Sequence, residues 1–108
     1  MRSLSFHTHP DFSIDGGLMR VGRSSHNNLV IVEPWVSKCH AEIIYRSSSI
    51  ADPTNGIYYL RDSSSNGSYI LASENKWLKV HSQEFPLQSG MQIKFGSEEG
   101  QILEFRIA

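Results

Sequence analysis

Ser37-Lys38-Cys39-His40-Ala41-Glu42-Ile43-Ile44-Tyr45 passes from a polar loop into alternation. Ala41, Ile43 and Tyr45 fall on one face and Glu42 and Ile44 on the other, the period of two that a half-buried strand requires. Downstream the pattern repeats. Tyr58 and Leu60 alternate with Tyr59 and Arg61, Met91, Ile93 and Phe95 with Gln92 and Lys94, and Leu103, Phe105 and Ile107 with Glu104 and Arg106. Helical spacing persists nowhere, so the chain reads as all-β.

Further strands are expected at Leu4 to Thr8, Leu18 to Gly22, Leu29 to Val32, Ser68 to Leu71 and Trp77 to Val80. Between them stand turn formers that tolerate positive φ: Asp15-Gly16-Gly17, Asn55-Gly56, Asn66-Gly67 and Ser89-Gly90. Pro34, Pro53 and Pro86 are expected between strands rather than inside them. Short strands with regular turn signals predict a β-sandwich. The Ser-rich segments Ser47 to Ser49 and Ser63 to Ser65 are loop-length only.

A length of 108 residues predicts a single domain over residues 1–108, large enough to bury a core. The one cysteine, Cys39, excludes an internal disulfide and fits a reducing, cytoplasmic location. The longest apolar run, Leu29 to Val32, is too short to span a membrane, and the opening residues lack the apolar stretch of a secretory signal. A formal charge of -1 speaks against general nucleic-acid binding. His7-x-His9 puts two imidazoles on one strand face, short of the four ligands of a structural zinc site, so neither metal nor cofactor is expected.

Three strings carry the chemistry. Gly22-Arg23 ends a strand with a guanidinium, whose planar donors match phosphate oxygens. Ser37 offers a hydroxyl and Lys38 a second cation from the following loop. Ser65 offers another hydroxyl, and Asn66 an amide able to donate to and accept from an extended peptide. Ser37-x-x-His40 also has the residues of a nucleophile and its base. Without a third member or a strained elbow, however, His40 reads more simply as a loop-fixing residue.

In this order and spacing the strings resemble the forkhead-associated (FHA) family of phosphothreonine-binding modules. The resemblance runs over about residues 18–105 through Gly22-Arg23, Ser37-Lys38-Cys39-His40-Ala41-Glu42-Ile43, Leu60-Arg61-Asp62-Ser63-Ser64-Ser65-Asn66-Gly67-Ser68 and Leu87-Gln88-Ser89-Gly90-Met91-Gln92-Ile93-Lys94-Phe95-Gly96. It implies a sandwich of two twisted, mainly antiparallel sheets with the binding loops at one end. Phosphate would fall to Arg23, Ser37, Lys38 and Ser65, and the ligand main chain to Asn66. Gly22, His40 and Gly67 would shape the loops. The implied partner is a phosphothreonine-containing protein, made so by an upstream Ser/Thr kinase, and the implied role is binding rather than catalysis. A phosphate-independent scaffold for docking or self-association is the alternative.

One stretch departs from the family pattern. Residues 70–85 lack the short second Asn-Gly turn and carry Trp77 and Val80 instead, which predicts a longer hairpin with Trp77 packed on a sheet edge. Trp35 and Tyr69 flank the binding strings and are candidates for ligand specificity. Trp35 serves equally well as packing between its loop and the sandwich.

Overall fold

The computed structural model describes residues 2–6, 12–13, 17–47, 56–73 and 75–107. Expectations placed on His7, Thr8, His9, Asp15, Gly16, Ser48, Ser49, Pro53 and Asn55 lie outside the described residues. Among the described residues the chain forms strands and no helix: β1 (Arg2–Phe6), β2 (Phe12–Ser13), β3 (Leu18–Gly22), β4 (Leu29–Val30), β5 (Ala41–Ser47), β6 (Gly56–Asp62), β7 (Ser68–Ser73), β8 (Lys76–Val80), β9 (Glu84–Leu87), β10 (Gln92–Phe95) and β11 (Leu103–Ile107).

Two sheets build the sandwich. One has six strands in the order β2-β1-β11-β10-β7-β8, the other five in the order β4-β3-β5-β6-β9. Pairing is antiparallel throughout except between β3 and β4. Alternation decides what fills the space between them. Met19, Val21, Ile43, Tyr58 and Leu60 point inward from the five-stranded sheet, and Ile70, Ile93, Phe95, Leu103 and Phe105 from the six-stranded one, all buried. The Tyr58 and Phe105 rings are 5.4 Å apart, one from each layer. Truncating a ring such as Phe105 to alanine would cost about 3–5 kcal/mol.

Two expectations need correction. Leu29 to Val32 was expected as one strand, but β4 stops at Val30. Ile31 turns into the core while Val32 is exposed, and the chain leaves the sheet there. Pro86, expected between strands, lies inside β9 opposite Tyr59. β9 is the outermost strand of its sheet, the position where a residue without a backbone N–H is tolerated. β5 begins at Ala41, where the alternation starts, and Cys39 and His40 belong to the loop before it.

The register gathers the loops at one end. Val21 faces Ala41 and Ala41 faces Asp62, which aligns the end of β3, the start of β5 and the end of β6. In the other sheet Ser68 faces Phe95, so β7 begins where β10 ends. The predicted long hairpin is β7–β8, turning at Asn75 with a φ of 57°. Trp77 lies on β8, an edge strand, facing Leu71.

Candidate functional site

The loops after β3 and β4 are zipped together by backbone bonds. The Arg23 N–H donates to the Ser37 carbonyl at 2.9 Å, and the Ser24 N–H to the Lys38 carbonyl at 3.2 Å. The Asn27 amide adds a 2.6 Å bond to that same Lys38 oxygen. Gly22 permits this approach: a Cβ there would sit 2.2 Å from the Lys38 carbonyl oxygen. Arg23 therefore leaves the sheet at a fixed angle. Its Nε donates to the Val36 carbonyl at 2.9 Å, and its terminal nitrogens have no partner among the described residues. One donor anchors the exposed guanidinium and the rest of the fork stays free.

His40 joins the second loop to the third. The Ser37 backbone N–H donates to His40 Nδ1 at 2.9 Å, which makes that nitrogen the acceptor and puts the ring proton on Nε2. Nε2 then donates to the Gly67 carbonyl at 2.8 Å. Burial lowers the His40 pKa below its ordinary value of 6.5, against the opposing pull of the Gly67 bond and the Asp62 charge. The ring is thus neutral near pH 7, and its 3.8 Å approach to Asp62 is no ion pair. Phe95 packs edge-on against the imidazole, centroids 5.5 Å apart. Both ring nitrogens are committed to backbone, so His40 is not the base of a Ser37 nucleophile.

The third loop is held from below by Asp62, a hub that the sequence did not reveal. This carboxylate is 3% exposed and accepts from four donors. Oδ1 takes the Ser64 and Ser68 hydroxyls, each at 2.8 Å, and Oδ2 the Ser64 and Ser82 N–H groups at 3.2 and 2.8 Å. The Ser64 hydroxyl in turn accepts the Gly67 N–H at 2.7 Å. Gly67 itself has a φ of 86°, a conformation that favours glycine. In the sequence Asp62 shows only as an Asp followed by serines, a common side-chain-to-backbone turn pattern.

With both loops fixed, the predicted residues converge at their tips. The Ser65 N–H donates to Ser37 Oγ at 3.1 Å, which leaves the Ser37 hydroxyl proton for another acceptor. Ser65 is exposed. Asn66 is exposed too, and its Nδ2 donates to the Trp35 carbonyl at 2.9 Å, so the amide is oriented while its oxygen remains open. Lys38 is exposed beside this group.

Trp35 and Tyr69 are placed differently. Trp35 is half-buried against the core, and Gly96 and Gly100 make room for it. A Cβ on Gly96 would lie 2.2 Å from the Trp35 carbonyl oxygen. The Trp35 Nε1 is buried with no partner among the described residues. Tyr69 instead lies on the outer face of β7 between Lys79 and Lys94. Lys79, which no motif marked, crosses over the third loop: its Cε would meet a Cβ on Gly67 at 2.9 Å. A hollow of about 300 Å³ lies beside the zipped loops, lined by Arg20, Asn27, Cys39, Ala41, Glu42 and Ser63. It holds the Arg20–Glu42 pair at 3.6 Å and is separate from the loop-tip donors.

The tips of three loops thus carry one fixed guanidinium, small hydroxyl donors and an oriented amide, groups whose chemistry suits an anion. Comparison with known proteins bears on the family and the fold. The family model described as the FHA domain matches residues 19–96, which span all three loops. No curated protein matches the chain. Among solved structures, it is similar to the FHA domain of MEK1 in complex with a phosphothreonine peptide of HOP1, with a TM-score of 0.74 and 20% identity over 98% of this chain and 95% of that one. An FHA domain of an Arabidopsis thaliana hypothetical protein gives a TM-score of 0.74 and 23% identity over 99% of this chain and 85% of that one. Mycobacterium tuberculosis EmbR, in complex with a low-affinity phosphopeptide, gives 0.74 and 21% identity over 99% of this chain but 24% of that longer one. The matched residues take in the paired loops that Gly22, His40 and Gly67 hold in place, and the chain belongs to the FHA domain family.

Proposed function

We propose that the chain binds a phosphorylated threonine in an extended segment of a partner protein. Arg23 and Ser37 take the phosphate oxygens with Lys38 and Ser65, and Asn66 holds the ligand main chain. One observation carries the reading. Residues distant in sequence are locked side by side by the Ser65-to-Ser37 bond, while the Arg23 fork and the Ser37 proton are left unspent.

A phosphothreonine brings about -1.5 to -2 charges and three strong acceptors near neutral pH. Each charge-assisted bond contributes roughly 1.5–3 kcal/mol, so the unmodified threonine loses most of the affinity. The ligand chemistry of the similar MEK1 domain supports this reading. Preference for threonine over serine rests on one methyl group, about 0.8 kcal/mol if buried, or roughly fourfold. The role is recognition and not catalysis, downstream of a Ser/Thr kinase and in the cytoplasm, where the exposed Cys39 thiol stays reduced.

Titration of the chain with phosphothreonine, phosphoserine and threonine forms of peptides from a degenerate library tests this. The expected order is phosphothreonine, then phosphoserine, then no measurable binding. Equal binding of phosphorylated and plain peptides would overturn the reading.

A further inference from the structure

The outer face of the five-stranded sheet carries two parallel rows of side chains. The register lines up Arg20, Glu42, Arg61 and Glu84 across β3, β5, β6 and β9, so charge alternates from strand to strand. Two residues further along each strand, Leu18, Ile44, Tyr59 and Pro86 form an apolar row. Leu18 is 36% exposed, Pro86 is exposed, and Ile44 and Tyr59 are half-buried. The charges are already ordered within the chain. Arg20 and Arg61 pair with Glu42, and Arg46 and Arg61 with Glu84. Arg46 reaches Glu84 by lying across the Tyr59 ring, 5.0 Å from its centroid. Ions paired in this way cost less to take out of water than bare charges.

Both rows are complementary to themselves. A two-fold axis parallel to the strands, between β5 and β6, sets each position against the one equally far beyond the axis in a second copy. Arg20 then meets Glu84 of the second copy, and Glu42 meets Arg61, each pair occurring twice. In the apolar row Leu18 meets Pro86, and Ile44 meets Tyr59. Every charge faces its opposite, and every apolar residue faces another. Sheets stacked with their strands aligned are an ordinary packing arrangement. The footprint is modest. Four strands spaced about 4.8 Å, the central two of seven residues each, give about 400 Å². That is small beside the roughly 800 Å² per partner of a standard interface, so the fit is that of a weak, reversible dimer. The apolar row supplies its affinity and the charges its register.

We propose that this face is a homodimer interface, on which a second copy of the chain docks sheet to sheet about that axis. Rotation about an axis parallel to the strands leaves the strand direction unchanged. The loop ends that the register gathers therefore lie at the same end of the dimer in both copies. Both sets of loop tips open to one side. On the phosphothreonine reading, which this consequence alone rests on, the dimer suits a partner phosphorylated at two spaced threonines and holds it by avidity.

Sedimentation equilibrium without ligand, from about 5 to 500 µM chain, tests the interface. Wild type is expected to pass from monomer to dimer. Glu42→Arg and Arg61→Glu are each expected to stay monomeric, because each sets like charges face to face twice. An equimolar mixture of these two variants is expected to regain the dimer, since position 42 of one then opposes position 61 of the other with opposite sign at both contacts. Leu18→Glu, at an exposed position, breaks the same dimer from the apolar row and keeps the test open should a charge variant fail to fold. Wild type that is monomeric throughout, variants that dimerise like wild type, or a mixture that stays monomeric would overturn the interface. A second titration reads the consequence. At concentrations where wild type is dimeric, a peptide with two phosphothreonines joined by a flexible linker of about 20 residues should bind at least about tenfold more tightly than its singly phosphorylated form. That gain should vanish in either variant alone. A wild-type dimer without the gain would overturn the shared opening of the two sites. Failure of every phosphothreonine peptide to bind would overturn the phosphothreonine reading, while sedimentation still decides the interface.

Discussion

The Ser65 backbone N–H donates to the Ser37 hydroxyl at 3.1 Å across a sequence separation of 28 residues. This bond brings two loops to one point and sets the direction of the remaining hydroxyl proton. Ser37→Ala removes both the bridge and the donor. Phosphopeptide affinity should fall by about 1.5–3 kcal/mol, roughly ten- to a hundredfold, while stability falls by no more than about 1 kcal/mol, since the bond is exposed. Calorimetric titration beside a urea melt separates the two effects.

Asp62 stabilises the third loop from inside the protein. Asp62→Asn keeps the shape but turns an NH2 group toward donors that need an acceptor. The buried Ser64 and Ser68 hydroxyls then lose their partner at Oδ1 or their neighbours lose theirs at Oδ2. The expected loss is about 2–4 kcal/mol, read as a lower urea midpoint with an unchanged slope.

Two glycines should differ in their tolerance of alanine for different reasons. At Gly22 a Cβ meets the Lys38 carbonyl oxygen at 2.2 Å, and that oxygen is held by Ser24 and Asn27. Gly90 has a φ of 97° but nothing within 4 Å of its would-be Cβ. Gly90→Ala should cost only the backbone strain, about 1–2 kcal/mol. Gly22→Ala should cost about 2–4 kcal/mol and also weaken ligand binding, because the Arg23 loop must move. Paired melts and titrations check both.

His40 makes stability depend on pH. Its folded pKa lies below the ordinary 6.5, so between those values the unfolded chain binds the extra proton. Stability is therefore complete above about pH 6.5 and falls as the pH drops through and below that value. Glu84, held at about 2 by Arg46 and then Arg61, contributes stability above its ordinary 4.5 and loses it only as the pH falls from there toward 2. The two windows are separate. Thermal melts between about pH 7.5 and 5 should show a decline that His40→Asn flattens. A decline of equal slope in that variant would assign it to other groups.

Much of this architecture was readable because alternation was clean. β3, β5, β6 and β11 sit where Leu18, Ala41, Tyr58 and Leu103 begin their patterns, give or take the frayed ends. Pro86 misled because proline disfavours strands in general, and the exemption of an edge strand depends on sheet order, which one chain's pattern does not encode. Val32 misled because an apolar residue beside a strand need not be part of it. At the site, Arg23, Ser37, Ser65 and Asn66 were visible as residue types at a spacing. Asp62 was hidden because a buried carboxylate hub in a serine-rich turn reads as an ordinary polar loop. Lys79 was hidden because its approach to Gly67 comes from the β7–β8 register rather than from any local string. Trp35 had two open readings, and its contact with the core and with Gly96 favours packing.

In the proposed complex the Arg23 guanidinium, fixed by the Val36 carbonyl, meets a phosphate dianion at the loop tips. Isothermal titration of one phosphothreonine peptide and its plain threonine twin against wild type, Arg23→Ala and Arg23→Lys tests it most directly. Tight binding of the phosphorylated peptide is expected for wild type alone, with a loss of about 2 kcal/mol or more in Arg23→Ala and incomplete rescue by lysine, which lacks the planar fork. Binding of the phosphorylated peptide to Arg23→Ala at wild-type affinity would contradict it.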